Sequence, residues 1–319
     1  MSAGGNFTML MSYFYLAIGF AVLILSGNWL VTGSVQLARY FKISTLIVGL
    51  TIVAWGTSAP EMFISIGAAL ENAHDIALGN IIGSNIANIG FILALVALIH
   101  PIPIMNRAIG FDLIIMFLVI ILLFFFGLNG IIGRFEGLSL VFILIVYSVW
   151  SILKSRKDLA SEKIEPVTIK PLFAIGLIII AIIGLYLSSG WFVRGAREIA
   201  LHWGVSERVI AVSIVAVGTS MPELIATVIA AFRKEVELSI GNIIGSNLFN
   251  IAGVLGVTTV ISPIHINDQS MFLYDMIWVF GISVALLLTM IPLSKGKITR
   301  REGGVLLLMF TIYIFILFR

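Results

Sequence analysis

Of 319 residues, 60% are hydrophobic and only 11% charged, far from the even apolar share and quarter charged share of a soluble domain. The net charge of +3 comes from bases dispersed among polar turns, which offers no basic face for nucleic acid. With no cysteine, disulfides, thiolate metal sites and cysteine nucleophiles are excluded.

Apolar runs near the length that crosses a bilayer recur from end to end, so the fold class expected is an all-α polytopic membrane protein. Ten transmembrane helices are expected, at roughly 11–38, 43–70, 74–99, 108–127, 138–153, 172–200, 205–232, 236–262, 271–292 and 303–318. Met1 to Thr8 carries no base, and the apolar segment after it is too long for a signal-peptide core, so it is expected to be a true span. Ser44 and Ser206 stand where N-caps would open the second and seventh spans. The second span as one straight helix would run about 42 Å, against a hydrocarbon core of about 30 Å. Gly56 and Pro60 favour a break there, because Pro60 has no amide for the carbonyl of Gly56. Unpaired carbonyls are tolerated in a membrane where they line a cavity or bind something. Gly218 and Pro222 predict the same in the seventh span.

The chain writes one stretch twice. Gly56-Thr57-Ser58-Ala59-Pro60-Glu61 returns as Gly218-Thr219-Ser220-Met221-Pro222-Glu223, an offset of 162 positions. At the same offset, Gly79-Asn80-Ile81-Ile82-Gly83-Ser84-Asn85 returns as Gly241-Asn242-Ile243-Ile244-Gly245-Ser246-Asn247, and Asn88-Ile89 as Asn250-Ile251. The offset holds without a gap from Trp29/Trp191 to Pro101/Pro263. Two halves follow: 1–153, with motifs at 54–61 and 79–89, and 171–319, with motifs at 216–223 and 241–251. The polar stretch 154–170 is a linker between them. Five spans per half is an odd number, so the halves are expected to be inverted five-helix repeats, a plan that places a substrate near the midplane at their interface.

Basic residues gather on one set of loops: Arg39, Lys42, Arg107, the 154–170 linker, Arg233, Lys234 and the stretch from Lys295 to Arg301. Fewer lie opposite, at Arg134, Arg194, Arg197, Arg208 and Arg319. By the positive-inside rule the linker is cytoplasmic and both termini face out of a plasma or inner membrane.

Glu61 and Glu223 are the acidic residues set deep within spans with no base nearby in sequence. Inverted symmetry would bring them together, and a charge at that depth is costly and functional. With no Lys or Arg in these interiors, protons or metal ions must compensate them. Thr57, Ser58, Thr219, Ser220, Ser84, Ser246, Asn88 and Asn250 add neutral oxygens, and the broken helices add carbonyls such as those of Ala54 and Ala216. An all-oxygen set suits calcium or sodium; magnesium sheds its water less readily. Simpler roles exist for single features. Gly and Pro kink membrane helices, Gly79, Gly83, Gly241 and Gly245 let helices approach, and Trp29 and Trp191 serve as packing or interface anchors. His74, His100, His202 and His265 sit at span ends, where an interfacial role is expected. Duplication of the glutamates weighs against a structural pairing.

These motifs resemble the alpha repeats of the calcium/cation antiporter superfamily, and within it the sodium/calcium exchanger branch, over essentially the whole chain. The resemblance implies that Glu61 and Glu223 are central ligands. Thr57, Ser58, Thr219, Ser220, the carbonyls of Ala54 and Ala216, and Ser84, Ser246, Asn88 and Asn250 would complete calcium and sodium sites. It further implies electrogenic exchange of about three sodium ions for one calcium, with the bilayer and these ions as partners, no cofactor, no enzyme activity and no obligatory protein partner. Some relatives and the potassium-dependent branch carry Asp where this chain has Asn250, so potassium dependence is not expected. The short linker leaves no room for calcium-sensing domains. Proton/calcium antiport on the same fold is the nearest rival. A hydrolase using Ser58 or Ser220 would need a base, and no histidine lies mid-span. A channel fits broken helices in inverted repeats less well than alternating access does.

Overall fold

The computed structural model describes residues 3–103, 107–158, 166–204, 216–288 and 297–317, and these are almost wholly helical. The first apolar run becomes α1 (Ala3–Phe41), longer at both ends than its apolar stretch requires. Lys42 turns the chain with φ of 55°, and Ser44 then caps α2 (Thr45–Thr57) by accepting from Ile47 N at 3.4 Å. Ser206, its expected counterpart, lies outside the described residues.

The expected break occurs at Ser58, where α2 gives way to α3 (Ala59–Leu70) with a bend of 45°. Pro60 falls in the first turn of α3, where its missing amide costs nothing. In the second half α8 (Ala216–Thr219) and α9 (Met221–Phe232) meet at Ser220. The backbone there, φ −89° and ψ 12°, nearly repeats the −83° and 4° of Ser58. Pro222 frees the carbonyl of Gly218, and Ser189 Oγ donates to it at 2.5 Å.

Two helices form the centre. The apolar windows of α4 (His74–Ile99) and α10 (Val236–Ile261) are each 78% buried, against 22% for α1. Each widens into a π-helical stretch, Asn88–Leu93 in α4 and Phe249–Leu255 in α10. A third lies at Gly49–Val53 within α2. Around them stand α5 (Arg107–Gly127), α6 (Arg134–Asp158), α7 (Pro171–His202), α11 (Gln269–Leu288) and α12 (Arg300–Leu317). Among the described residues, α1, α4, α5, α6, α7, α10 and α11 are long and apolar enough to cross a membrane, and α2 with α3 makes a further span across its bend. α9 is apolar but only 12 residues long, and α12 opens on Arg300, Arg301 and Glu302.

Contacts recur in pairs. α1 and α7 run antiparallel: a Cβ on Gly33 would meet Ile178, and one on Gly195 would meet Leu16. Short strands β1 (Ile102–Pro103), β2 (Ile131–Ile132), β3 (Ile264–His265) and β4 (Lys297–Ile298) pair antiparallel as β1 with β4 and β2 with β3. Tyr147 OH donates to Asp112 Oδ1 at 2.6 Å, tying α5 to α6, and Tyr313 OH donates to Asp275 Oδ1 at 3.2 Å, tying α11 to α12. Glu136 and Glu302 each reach back to the residue before their helix, accepting from Gly133 N and Thr299 N, half of a capping box. The positive φ of Lys42 and Asn72 returns, at the 162 offset, at Gly204 and Lys234.

α10 lies on α2 at backbone contact. A Cβ on Gly241 would stand 2.3 Å from the carbonyl oxygen of Leu46, and one on Gly245 2.6 Å from that of Leu50. Gly245→Ala therefore overpacks the contact, lowering the Tm in detergent by the equivalent of about 1–3 kcal/mol. Gly67→Ala, with no described atom within 4 Å of the added carbon, holds the parental Tm. An unchanged Tm for Gly245→Ala would show that close approach is not what this glycine provides.

Candidate cation site

Each broken helix places its residues by position in the turn. Thr57 and Thr219 end α2 and α8, Ser58 and Ser220 occupy the breaks, and Glu61 and Glu223 fall in the first turns of α3 and α9. A carboxylate there is favoured by the helix N-terminus, while the carbonyls that end the preceding helix favour a cation. Ala54 belongs to the last turn of α2, and its carbonyl accepts from Ser58 N at 3.0 Å, with Thr57 Oγ1 3.4 Å away. Ala216 opens α8. Ser84 and Ser246 lie one turn before Asn88 and Asn250 on α4 and α10.

Side chains from both halves meet at this level. Ser58 Oγ donates to Glu223 Oε1 at 3.2 Å, and Thr57 Oγ1 lies 3.3 Å from Asn242 Oδ1 and 3.4 Å from Ser246 Oγ. Glu61 and Glu223 follow the two breaks at matching positions. Both are buried, as are Thr57, Ser58, Ser84, Asn88, Ser220, Ser246 and Asn250. Ser84, Thr219 and Ser220 face a cavity of about 170 Å³ that Asn80, Gly79, Gly83, Phe310 and Tyr313 also line. The side-chain amides of Asn88 and Asn250 make no hydrogen bond among the described residues, so none ties them directly to the carboxylates.

What the site lacks is as specific as what it holds. Both carboxylate oxygens of Glu61, Oε2 of Glu223, the hydroxyl of Ser220, and both amide atoms of Asn88 and Asn250 are buried without a hydrogen-bond partner among the described residues. Buried polar atoms are ordinarily paired, and an unpaired charge is costlier still. These unpaired groups supply oxygens from both halves and no thiolate or imidazole, a donor set that fits hard cations such as calcium and sodium.

Two residues outside the expected ligand set hold it in place. Asn80 Nδ2 donates to Glu61 O at 3.2 Å and to Ser65 Oγ at 2.9 Å. Asn242 Nδ2 does the same for Glu223 O at 3.4 Å and Thr227 Oγ1 at 2.9 Å. Each asparagine thus pins the backbone of a motif glutamate from the neighbouring helix. The signal was in the repeat: Asn80 and Asn242 belong to the duplicated motif, and Ser65 and Thr227 are hydroxyl residues at the same offset.

Glu61→Gln and Glu223→Gln are each expected to abolish calcium transport while the protein still inserts, and normal flux by either purified variant would remove the pair as ligands. Asn250→Leu separates binding from folding. Its amide is unpaired, so an apolar replacement holds or raises the Tm in chelator, while calcium binding by calorimetry weakens about tenfold, the loss of roughly one neutral ligand. A lowered Tm with unchanged affinity would assign Asn250 to the fold instead.

The chain is similar to known proteins. The solved structure of the sodium-calcium exchanger NCX_Mj, soaked with sodium and strontium, superposes with a TM-score of 0.83 at 32% identity, covering 96% of this chain and 98% of that one. The inner membrane protein YrbG of Escherichia coli K12 is 32% identical over 310 residues, 94% of each chain. The sodium/calcium exchanger MaX1 of Methanosarcina acetivorans is 28% identical over 350 residues, 96% of this chain and 98% of its own. The family described as sodium/calcium exchanger protein matches residues 11–153 and 173–319. On that match, with helices apolar enough to cross a membrane, the chain is a multi-pass membrane cation antiporter and belongs to the sodium/calcium exchanger family.

Proposed function

We propose that this antiporter exchanges sodium for calcium by alternating access, moves net charge in each cycle, and does not require potassium. The observation that carries the reading is the set of unpaired buried oxygens around Glu61 and Glu223, contributed by both halves. Two carboxylates balance one calcium ion, whereas three sodium ions in its place would carry one charge more, so a three-for-one exchange moves charge. Asn250 is neutral, which leaves no third carboxylate for a potassium-linked site. Glu61, Glu223, Thr57, Ser58, Thr219, Ser220, Ser84, Ser246, Asn88 and Asn250, with the carbonyls of Ala54 and Ala216, form the proposed ligand set.

The proposed architecture is ten spans in two inverted halves, 1–153 and 171–319, joined by a cytoplasmic linker at 154–170 with both termini outside. The antiparallel pairing of α1 with α7, the reciprocal strand pairs and the two matched blocks either side of the linker support it. The cavity reaching Ser84, Thr219 and Ser220 gives one route to the site. Gly241 and Gly245 are pressed against the backbone of α2.

Calcium flux into proteoliposomes, with sodium, potassium and proton gradients imposed separately, tests this. Sodium alone is expected to drive uptake, and a membrane potential to alter its rate; uptake driven by protons alone would replace sodium coupling with proton coupling. Protons compete with cations for the carboxylates, and each proton bound neutralises a ligand. Calcium affinity is therefore expected to fall as pH falls and to recover as it rises. An affinity constant between neutral and acidic pH, measured by calorimetry, would contradict carboxylate ligation.

A further inference from the structure

Two of the four histidines meet away from the carboxylate site. His74 opens α4 and His265 ends β3, and their rings lie with centroids 5.3 Å apart, tilted by 53°. His74 is only 8% exposed and its Nδ1 is buried without a hydrogen-bond partner among the described residues, while His265 is exposed. Both sit on anchored backbone. His265 lies opposite Ile131 in the β2–β3 pair, and Asn267 Nδ2 donates to Asp75 Oδ2 at 3.2 Å, holding the two segments side by side.

A buried nitrogen without a partner is the same symptom that marks the carboxylate site, but the chemistry differs. Imidazole nitrogen is a poor ligand for calcium or sodium and a good one for zinc, nickel and copper. With metal–nitrogen bonds of about 2.0–2.1 Å and a tetrahedral angle, two ligating imidazoles place their centroids roughly 5.2 Å apart. The observed centroid spacing of 5.3 Å matches that distance. We propose that His74 and His265 form a two-imidazole site for a transition-metal dication of the zinc class, separate from the transported ions. No group of three His, Cys, Asp or Glu gathers there among the described residues, so water fills the remaining positions and the ion exchanges readily. A metal bound there ties the first residue of α4, the helix that carries Asn80, Ser84 and Asn88, to a strand of the surrounding frame.

Calorimetric titration of the purified full chain with zinc, in saturating calcium to fill the carboxylate site, tests the assignment. One zinc is expected to bind, and His265→Ala and His74→Gln are each expected to weaken it about tenfold or more. His265 is exposed, so its replacement leaves the fold in place even where His74→Gln does not. Glu61→Gln is expected to bind zinc as the parent does. Absence of zinc binding by the parent, binding unchanged in His265→Ala, or binding lost in Glu61→Gln would each overturn the proposal.

Discussion

Two buried carboxylates with no basic residue beside them among the described residues set the terms for the rest of the molecule. Burial makes their charge costly unless a proton or a cation meets it. Each feature near them serves this need. The helices break so that carbonyl ends and amide ends face the same region, hydroxyls and amides approach from α4 and α10, and the central helices are the most deeply buried in the molecule. Groups that would pair with one another in an ordinary core are held apart here. In the proposed function such unpaired polar atoms destabilise the protein while the site is empty, and a bound cation offsets that cost, coupling occupancy to conformation.

The holding apart is done by neighbours that never need to touch an ion. Asn80 and Asn242 bind the backbone of the glutamates rather than their carboxylates, which leaves the carboxylate oxygens uncommitted while fixing where they point. The π-helical stretches begin at Asn88 and just before Asn250. A widened turn leaves backbone and side chain less regularly paired, a feature found at functional sites. Gly241 and Gly245 let α10 reach the backbone of α2, bringing Asn242 and Ser246 within reach of Thr57 across the two halves.

Much of this was legible because the sequence repeats itself. A glycine, a proline and a glutamate in one apolar run have several ordinary explanations; the same set again at an offset of 162 narrows them sharply. The break at Ser58 followed from the length of the second span and the position of Pro60, and the N-cap at Ser44 from residue type. The roles of Asn80, Asn242, Ser65 and Thr227 were harder to read, since they depend on how α3 leans on α4 and α9 on α10, which no periodicity encodes. Nor could it reveal that Asp112 and Asp275, near span ends, are each met by a tyrosine, because those partners lie on the following helix. The meeting of His74 with His265 was equally hidden, since it depends on two short strands with no pattern of their own.

The frame and the site differ in how they are copied. Tyrosine–aspartate bridges and back-reaching glutamates occur once per half, while the two strand pairs and the two glycine crossings each join one half to the other, so the scaffold is fastened in duplicate. A defect in one fastening leaves its twin to carry the load. In the proposed function the halves do not each own a cation site but build one between them, with Ser58 of one half on Glu223 of the other. Redundancy therefore ends where transport begins. Sequence drift tolerated in the frame of either half has no equivalent at the shared centre, where both copies of each motif are required at once.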